Sequence, residues 1–151
     1  VGSEMCIRDR IGAFRLATGL EPTVTQAEAE WESGIDASAW VQARADDVRF
    51  RFHVSMRTTR RQEMVFEGDE GWLVVSAPFN AGVYGEAELI LRPDEGPDQV
   101  FRFPKAQQYE AQVEAVAASV LDGAAYPMPL EVSRGTQRVI DAVFDSLGSP
   151  R

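Results

Sequence analysis

Ten consecutive residues in the middle of the chain alternate strictly between apolar and polar side chains. The apolar members are Val48, Phe50, Phe52, Val54 and Met56, and the polar members are Arg49, Arg51, His53, Ser55 and Arg57. Because successive side chains of a strand point to opposite faces, this pattern predicts a β-strand with one buried and one polar face. Such strands are typical of antiparallel sheets, since parallel sheets are usually buried on both faces.

Six further segments have the composition of strands and are separated by turn residues. We predict strands at Thr23–Trp31, Ser38–Arg44, Arg61–Phe66, Trp72–Ser76, Glu86–Leu91 and Gln99–Phe103. The segment Glu67–Gly71 predicts a short hairpin loop in which both glycines can take a positive φ. Arg92–Asp98 contains prolines and a glycine that predict the turn of a second hairpin.

The hydrophobic period changes to about 3.6 residues after Pro104, which predicts helices. One stripe consists of Tyr109, Val113, Val116, Val120 and Leu121. A final helix is predicted from Leu130 to the region of Leu147, and a short helix over Ile11–Thr18 near the start. Strands followed by helices predict an α+β fold, a largely antiparallel open sheet of about six or seven strands with helices packed on one face.

The first ten residues, Val1–Arg10, have neither a strand nor a helix period and begin without Met. They resemble a translated sequencing-adapter remnant, so we expect residues 1–10 to be a non-native leader and residues 11–151 to form the domain. The alternative is an ordinary disordered N-terminal tail. Under the first interpretation Cys6, the single cysteine, carries no meaning for function.

Length and charge limit the class of partner. The 151 residues predict one domain, and 15 basic against 24 acidic residues give a net charge of −9. This charge opposes binding to nucleic acid or anionic lipid, and no apolar run is long enough for a membrane span. A lone cysteine cannot form an internal disulfide. We therefore expect a cytoplasmic protein with no nucleic-acid or membrane partner.

Local sequence supplies no recognisable catalytic or nucleotide-binding motif. G-x-G-x-x-G after a strand, the P-loop and the nucleophile elbow are all absent. His53 is the only histidine and is interpreted as a strand surface residue, so no metal site is predicted. Lys105, the only lysine, follows Pro104 and is interpreted as a surface residue.

The sequence gives the charged and aromatic residues structural roles, namely solvation, ion pairing and packing. The carboxylate pairs Asp46–Asp47, Asp69–Glu70 and Glu86/Glu88 are expected to be solvated. Arg49, Arg51 and Arg57 are expected to pair with acidic neighbours such as Glu28, Glu30 and Glu63, with a subunit interface as the alternative. Trp31, Trp72 and Tyr84 are interpreted as packing anchors.

Three segments in order carry a resemblance to a known family. They are Gln62–Leu73, then Phe103–Pro104 with Gln108–Ala115, and then Tyr126–Glu131 with Arg138–Ala142. Together they resemble the C-terminal domain of the glucose–fructose oxidoreductase/inositol dehydrogenase/MocA family, over Ile11 to about Leu147.

The resemblance implies an NAD(P)-dependent oxidoreductase that acts on a sugar, polyol or related hydroxy compound. NAD or NADP would be bound by an N-terminal Rossmann domain in cis, and the C-terminal domain would shape the substrate pocket and form a homo-oligomer through its sheet. The family's catalytic motifs lie upstream or fall where Met5–Arg10 stand, and they are not present. We therefore expect the chain itself to be inactive, with no catalytic, cofactor-binding or metal-binding residue.

The resemblance also implies a pocket wall where the last strand turns into the following helix. Gln108 and Tyr109 are the candidate substrate-binding residues in this segment. For Tyr109 the alternative is packing on the helix face. The alternative for the whole chain is a stand-alone, non-enzymatic α+β module for binding or dimerisation.

Overall fold

A computed structural model describes residues 4–104 and 107–148, and these residues form three helices and seven strands. In chain order they are α1 (Glu4–Thr18), β1 (Thr23–Glu32), β2 (Ile35–Ala45), β3 (Val48–Ser55), β4 (Glu63–Gly68), β5 (Gly71–Ser76), β6 (Ala87–Pro93), β7 (Gln99–Phe103), α2 (Gln108–Leu121) and α3 (Leu130–Ser146). The paired strands are antiparallel, so the α+β class is confirmed.

The chain divides into two compact units, each with a sheet of its own. The first unit comprises Val1–Thr58 and Met128–Arg151 and contains a sheet in the order β1-β2-β3. The second comprises Thr59–Pro127 and contains a sheet in the order β4-β5-β6-β7. The sequence predicts one open sheet of about six or seven strands, whereas the seven strands form two sheets and residues 56–62 connect β3 to β4 without strand structure. Their run of arginines and threonines lacks the apolar alternation that a sheet face requires.

The first unit has a core between two helices and one face of its sheet. Helix α1 packs against α3 and β3, and α3 packs against β1. The rings of Phe14 in α1 and Phe50 in β3 stack with centroids 4.4 Å apart. The buried apolar side chains of the helices are Ile7, Ile11, Phe14, Val139, Ile140 and Val143. The helices thus pack on one face of this sheet, as predicted.

Strand β2, the central strand of this sheet, presents mostly alanine to the helices. Its buried alternate residues are Ala37, Ala39, Val41, Ala43 and Ala45. Alanine side chains end at Cβ, which leaves the space over this strand to larger residues of α1 and α3. The opposite face of β2 carries the exposed residues Trp40, Gln42 and Arg44.

The alternation that begins at Val48 is confirmed over β3 but ends before Met56. Phe50 and Val54 are buried, whereas Arg49, Arg51 and His53, which belong to the polar set, are exposed. Met56 lies beyond the last residue of β3 and is exposed, so its predicted place on the buried face is wrong. The strand period cannot place a side chain once the strand has ended.

Helix α1 begins at Glu4, seven residues before the predicted start at Ile11. Ile7 lies about one turn before Ile11 on the same helix face, and both side chains are fully buried. Burial also raises the pKa of the Asp9 carboxyl and lowers that of the Arg10 guanidinium, since each charged form loses water. Residues of the predicted leader therefore form part of the helix. Whether they are native to the protein stays a prediction.

Arg15 of α1 bonds directly to α3. The Arg15 guanidinium donates through Nη1 to the carbonyl oxygen of Val132 at 2.6 Å and to Oγ1 of Thr136 at 2.8 Å. Its Nε donates to Oε2 of Glu21 at 2.8 Å. A Cβ added to Gly135 would lie 2.1 Å from Nη2 of Arg15, so the guanidinium occupies the space that a side chain at position 135 needs.

In the second unit, one face of the four-stranded sheet is almost entirely apolar. Register places Met64, Val75, Leu89 and Phe101 in one row across this face. Among the apolar residues described in this unit, however, only Met64 and Ala77 are buried. Helix α2 has no buried residue, so the predicted helix is confirmed while its apolar stripe is exposed.

The first hairpin of this sheet uses one glycine where two were predicted. Gly71 has a φ of 137°, whereas Gly68 does not have a positive φ. A Cβ at Gly71 would lie 2.3 Å from the carbonyl oxygen of Arg92 on the neighbouring strand, so a side chain is excluded there.

Among the helices of the described residues, none has the length and apolar character needed to cross a membrane.

Candidate functional site

The second unit contains a cavity of about 190 Å³ at one end of its sheet. Most of its lining is apolar and comes from β5, β6, the end of β7 and the segment between β5 and β6. The lining residues are Val75, Ser76, Ala77, Pro78, Phe79, Ala81, Ala87, Glu88, Leu89, Phe103 and Gln108. The cavity shares the apolar lining and few polar groups of small-molecule sites but is smaller than the roughly 300–1,000 Å³ of most such sites.

The segment between β5 and β6, residues 77–86, forms one wall of the cavity, and Gln62 holds it at two points. The backbone N–H of Ala77 donates to the carbonyl oxygen of Gln62 at 3.2 Å. The backbone N–H of Asn80 donates to Oε1 of Gln62 at 3.1 Å. Ala77 is buried and has a φ of 47°, an uncommon conformation for a residue with a Cβ. The entry of this segment is therefore fixed by both the backbone and the side chain of one residue.

The tip of the segment is a turn built on Asn80. Its carbonyl oxygen accepts hydrogen bonds from the backbone N–H groups of Val83 and Tyr84, both at 3.2 Å. Gly82 and Gly85 have positive φ values, and the N–H of Gly82 donates to the carbonyl oxygen of Gly85 at 2.8 Å. The turn therefore has internal hydrogen bonds.

The two predicted substrate-binding residues lie beside this wall. Gln108 is the first residue of α2 and lines the cavity. The hydroxyl of Tyr109 donates to Oδ1 of Asn80 at 3.2 Å, while its side chain remains 66% exposed. The alternative role for Tyr109, packing on the helix face, is therefore not what the structure shows. Lys105 lies outside the described residues.

Sequence reasoning missed Gln62 and Asn80. Neither belongs to a motif, and their importance arises only when the chain brings residues 62, 80 and 109 together. The one available signal is that Asn80 stands in a Pro- and Gly-containing segment between two predicted strands, where a turn is expected.

The polar groups around the cavity are mainly uncharged. Within residues 4–104 and 107–148, the ion pair beside it joins Nε of Arg102 to Oε1 of Glu88 at 3.1 Å. In the described residues, no group of three or more His, Cys, Asp or Glu side chains is arranged to hold a metal ion. The arrangement can therefore hold a neutral ligand by shape and by hydrogen bonds from amide and hydroxyl groups.

The remaining carboxylates occupy the expected kinds of position. Asp46 and Asp47 form the β2–β3 turn, and Asp69 and Glu70 form the β4–β5 turn. Glu86 precedes β6 and is exposed. Trp31, Trp72 and Tyr84 are each more than a third exposed, so their interpretation as packing anchors is wrong. The Arg92 guanidinium lies 5.7 Å from the Trp72 ring centroid, which places a cation on one exposed face.

A second surface lies on the outer face of the three-stranded sheet, within the first unit. The rings of Trp40 and His53 stack there with centroids 4.7 Å apart and an interplanar angle of 11°. They border a shallow depression of about 510 Å³. On β1, the strand next to β2, Nε2 of Gln26 donates to Oε1 of Glu28 at 2.7 Å. His53 is thus a strand surface residue, as predicted.

Three arginines stand in the alternating segment 48–57, and two of them do not form the predicted ion pairs. Arg57 pairs with Glu32, and Glu63 pairs with Arg61. Arg49 and Arg51 make no ion pair within the part of the chain that the structure describes. Arg49 stands opposite Arg44 in the register, a like-charge pair that the sequence pattern does not reveal.

No protein-family model and no curated protein matches the chain. Its fold is similar to that of solved structures. One is KijD10, a 3-ketoreductase from Actinomadura kijaniata in complex with NADP and TDP-benzene, with a TM-score of 0.78 and 19% identity over 93% of this chain and 44% of that chain. Another is the UDP-N-acetylglucosamine 3-dehydrogenase GnnA from Acidithiobacillus ferrooxidans, with a TM-score of 0.78 and 12% identity over 93% of this chain and 45% of that chain. The chain thus spans about half the length of these proteins and shares their fold over that half.

Proposed function

We propose that the chain is the C-terminal, substrate-pocket domain of an NAD(P)-dependent oxidoreductase of the glucose–fructose oxidoreductase/inositol dehydrogenase/MocA family. The substrate class is a sugar, polyol or related hydroxy compound. The observation that carries the proposal is the fold likeness to a 3-ketoreductase and a sugar-nucleotide dehydrogenase, which covers nearly all of this chain and under half of each of theirs. The three sequence segments between Gln62 and Ala142 that resemble this family's C-terminal domain add independent support.

The residues of this chain do not fit a nicotinamide cofactor. Pyrophosphate is usually held where a parallel strand runs through a glycine-rich turn into a helix. The strand pairs described here are antiparallel, and α2 follows Phe103–Pro104 rather than a glycine-rich turn. We therefore assign NAD or NADP to an N-terminal Rossmann domain in cis, where the cofactor would exchange a hydride with the substrate.

The contribution of this chain is to bind and orient the substrate. The carboxamide of Gln108 is able to donate to and accept from substrate hydroxyls, and the hydroxyl of Tyr109, which donates its proton to Asn80, is able to accept from them. The apolar lining, including Leu89 and Phe103, keeps water from part of the cavity. Because hydride transfer needs a bound nicotinamide, which we assign to the other domain, we expect the chain alone to be inactive. Cytoplasmic location stays a prediction of the sequence.

The experiment that tests this function begins with the DNA upstream of the codon for Ile11. We expect an in-frame G-x-G-x-x-G after a strand, followed by a Glu-Lys-Pro motif. The extended protein should then bind NADH or NADPH, measured by nicotinamide fluorescence, and oxidise it with a keto-sugar. The 151-residue chain is the matched control and should bind neither cofactor.

Two outcomes contradict the proposal. A start codon close to Ile11, with no Rossmann sequence before it, leaves a stand-alone module for binding or dimerisation. Cofactor binding by the 151-residue chain contradicts the assignment of NAD(P) to another domain.

We also propose that the outer face of the three-stranded sheet joins two copies of the chain. Its charges are separated by strand, with Glu28 and Glu30 on β1 and Arg49 and Arg51 on β3. The half-exposed Trp40 lies between them on β2. A two-fold axis parallel to the strands lays β1 of one copy over β3 of the other, which places Glu28 at the level of His53 and one residue pair along the strand from Arg51, with Trp40 between the two charged strands.

Charge reversal tests this interface. We expect Glu28→Arg and Arg51→Glu each to weaken dimerisation about tenfold, and the double variant to recover most of it. Sedimentation equilibrium measures the association constant. Glu67→Arg, an exposed residue of the other sheet, is the control and should have no effect. A monomeric parent chain, or a double variant no better than the single ones, contradicts the proposed arrangement.

A further inference from the structure

Asn80 makes contacts through each of its polar groups except one. Its backbone N–H donates to Gln62, its carbonyl oxygen accepts from Val83 and Tyr84, and its side-chain Oδ1 accepts from the Tyr109 hydroxyl. Its Nδ2 makes no hydrogen bond within the described residues. Asn80 is therefore fixed in place while two N–H donors stay available.

The bond to Tyr109 determines what the phenol presents to a ligand. A phenol has one proton, and donating it to Oδ1 of Asn80 leaves the Tyr109 oxygen as an acceptor. The pair thus offers one acceptor on Tyr109 and two donors on Asn80. Both groups are neutral, which matches a neutral hydroxyl or carbonyl compound better than an anion.

The pair lies beside the cavity, and neither Asn80 nor Tyr109 is itself among the residues that line it. Phe79 and Ala81, on either side of Asn80, both line it, and so does Gln108, which precedes Tyr109. The Asn80–Tyr109 bond is therefore a link between the 77–86 segment and the first turn of α2. It keeps the two predicted substrate-binding residues beside the same wall.

We propose that Asn80 is a positioning residue for Tyr109 and Gln108, and that its Nδ2 donors form part of the ligand site. The consequence for catalysis rests on the proposed function. The link itself does not, because it concerns only contacts within this chain.

Selective labelling provides a direct test, since Asn80 is the only asparagine in the sequence. In protein labelled with ¹⁵N-asparagine, the side-chain amide gives one pair of NMR signals. We expect Tyr109→Phe to shift this pair, because the hydroxyl bonded to Oδ1 is lost. Tyr126→Phe, also a partly exposed tyrosine, is the control and should leave it unchanged. An unshifted pair in Tyr109→Phe overturns the link.

A second measurement tests the role toward a ligand, with D-glucose at millimolar concentration as the neutral probe and inorganic phosphate as the anionic one. We expect glucose, and not phosphate, to shift the Asn80 amide signals and the Gln108 side-chain amide. Asn80→Ala should abolish the Gln108 response, and Asn80→Asp should preserve it because the carboxylate still accepts from Tyr109. The remaining backbone signals report that both variants are folded.

Two results overturn the positioning role: a normal Gln108 response in Asn80→Ala, or no response to glucose in the parent chain. In the extended enzyme, Asn80→Ala should raise KM for the substrate about tenfold with a smaller change in kcat. An extended protein without oxidoreductase activity would contradict the proposed function, while the amide signals would still decide the link.

Discussion

Both units contain strands with an apolar face, but they bury that face to very different extents. In the first unit, Ile7, Ile11 and Val143 are fully buried between two helices and a sheet. In the second, α2 has no buried residue, and large side chains such as Phe101 and Phe103 are about half exposed. The first unit therefore has a core of its own, whereas the second holds its shape mainly through strand hydrogen bonds and local turns.

This difference shows that the candidate site lies in the less densely packed part of the chain. Functional segments are often drawn from the regions of lowest local stability, where few apolar contacts oppose rearrangement. Here the 77–86 segment is held by Gln62 and the Asn80 turn rather than by a surrounding core. Its geometry thus depends on a small number of polar contacts.

The same substitution in each unit tests the contrast most strongly. Val143→Ala in α3 removes two methyl groups from a fully buried side chain and should lower the free energy of unfolding by about 2–3 kcal/mol. Val120→Ala in α2, where the side chain is 75% exposed, should change it by less than about 0.5 kcal/mol.

Urea unfolding followed by circular dichroism measures both values. Equal losses in the two variants would mean that α2 is covered in solution as thoroughly as α3. That outcome would remove the contrast between the units.

A pair of glycines sharpens the contrast on a smaller scale. Gly135→Ala places a methyl group against the anchored guanidinium of Arg15 and should lower the unfolding free energy by about 1–2 kcal/mol. Gly12→Ala, in α1, meets no atom within 4 Å and should raise it by about 0.5–1 kcal/mol, because alanine loses less backbone entropy in a helix.

Thermal unfolding of an Arg15→Ala background identifies the cause. There Gly135→Ala should become neutral or stabilising, since the space taken by the guanidinium is open. A loss that persists without Arg15 would assign the effect to another neighbour.

The elements could be predicted from the sequence because their signals are local. The alternation over Val48–Val54, the turns rich in glycine and acidic residues, and the period after Pro104 each depend on residues close in the chain. The start of α1 is missed because the first ten residues are interpreted as a non-native leader, although Ile7 and Ile11 have the i, i+4 spacing of one helix face. The division into two sheets was missed because strand pairing is not local.

The candidate site was predictable only in part. The resemblance indicates the segment that holds Gln108 and Tyr109, and the structure places Gln108 at the cavity and Tyr109 beside it. Gln62 and Asn80 could not be found, since their roles depend on hydrogen bonds between residues 18 and 29 positions apart. An acidic partner for Arg57 was predicted, but its identity as Glu32 was not, for the same reason.

The residues on the two faces of β2 are under different evolutionary constraints. Enlarging the buried Ala39 or Ala43 would crowd the core beneath the sheet, so we expect few substitutions to survive selection there. Trp40, Gln42 and Arg44, between and beside them, are exposed on the opposite face, so substitution there should cost less folding free energy. A lineage could therefore alter what this sheet recognises by drift at these three positions while the fold beneath stays constant.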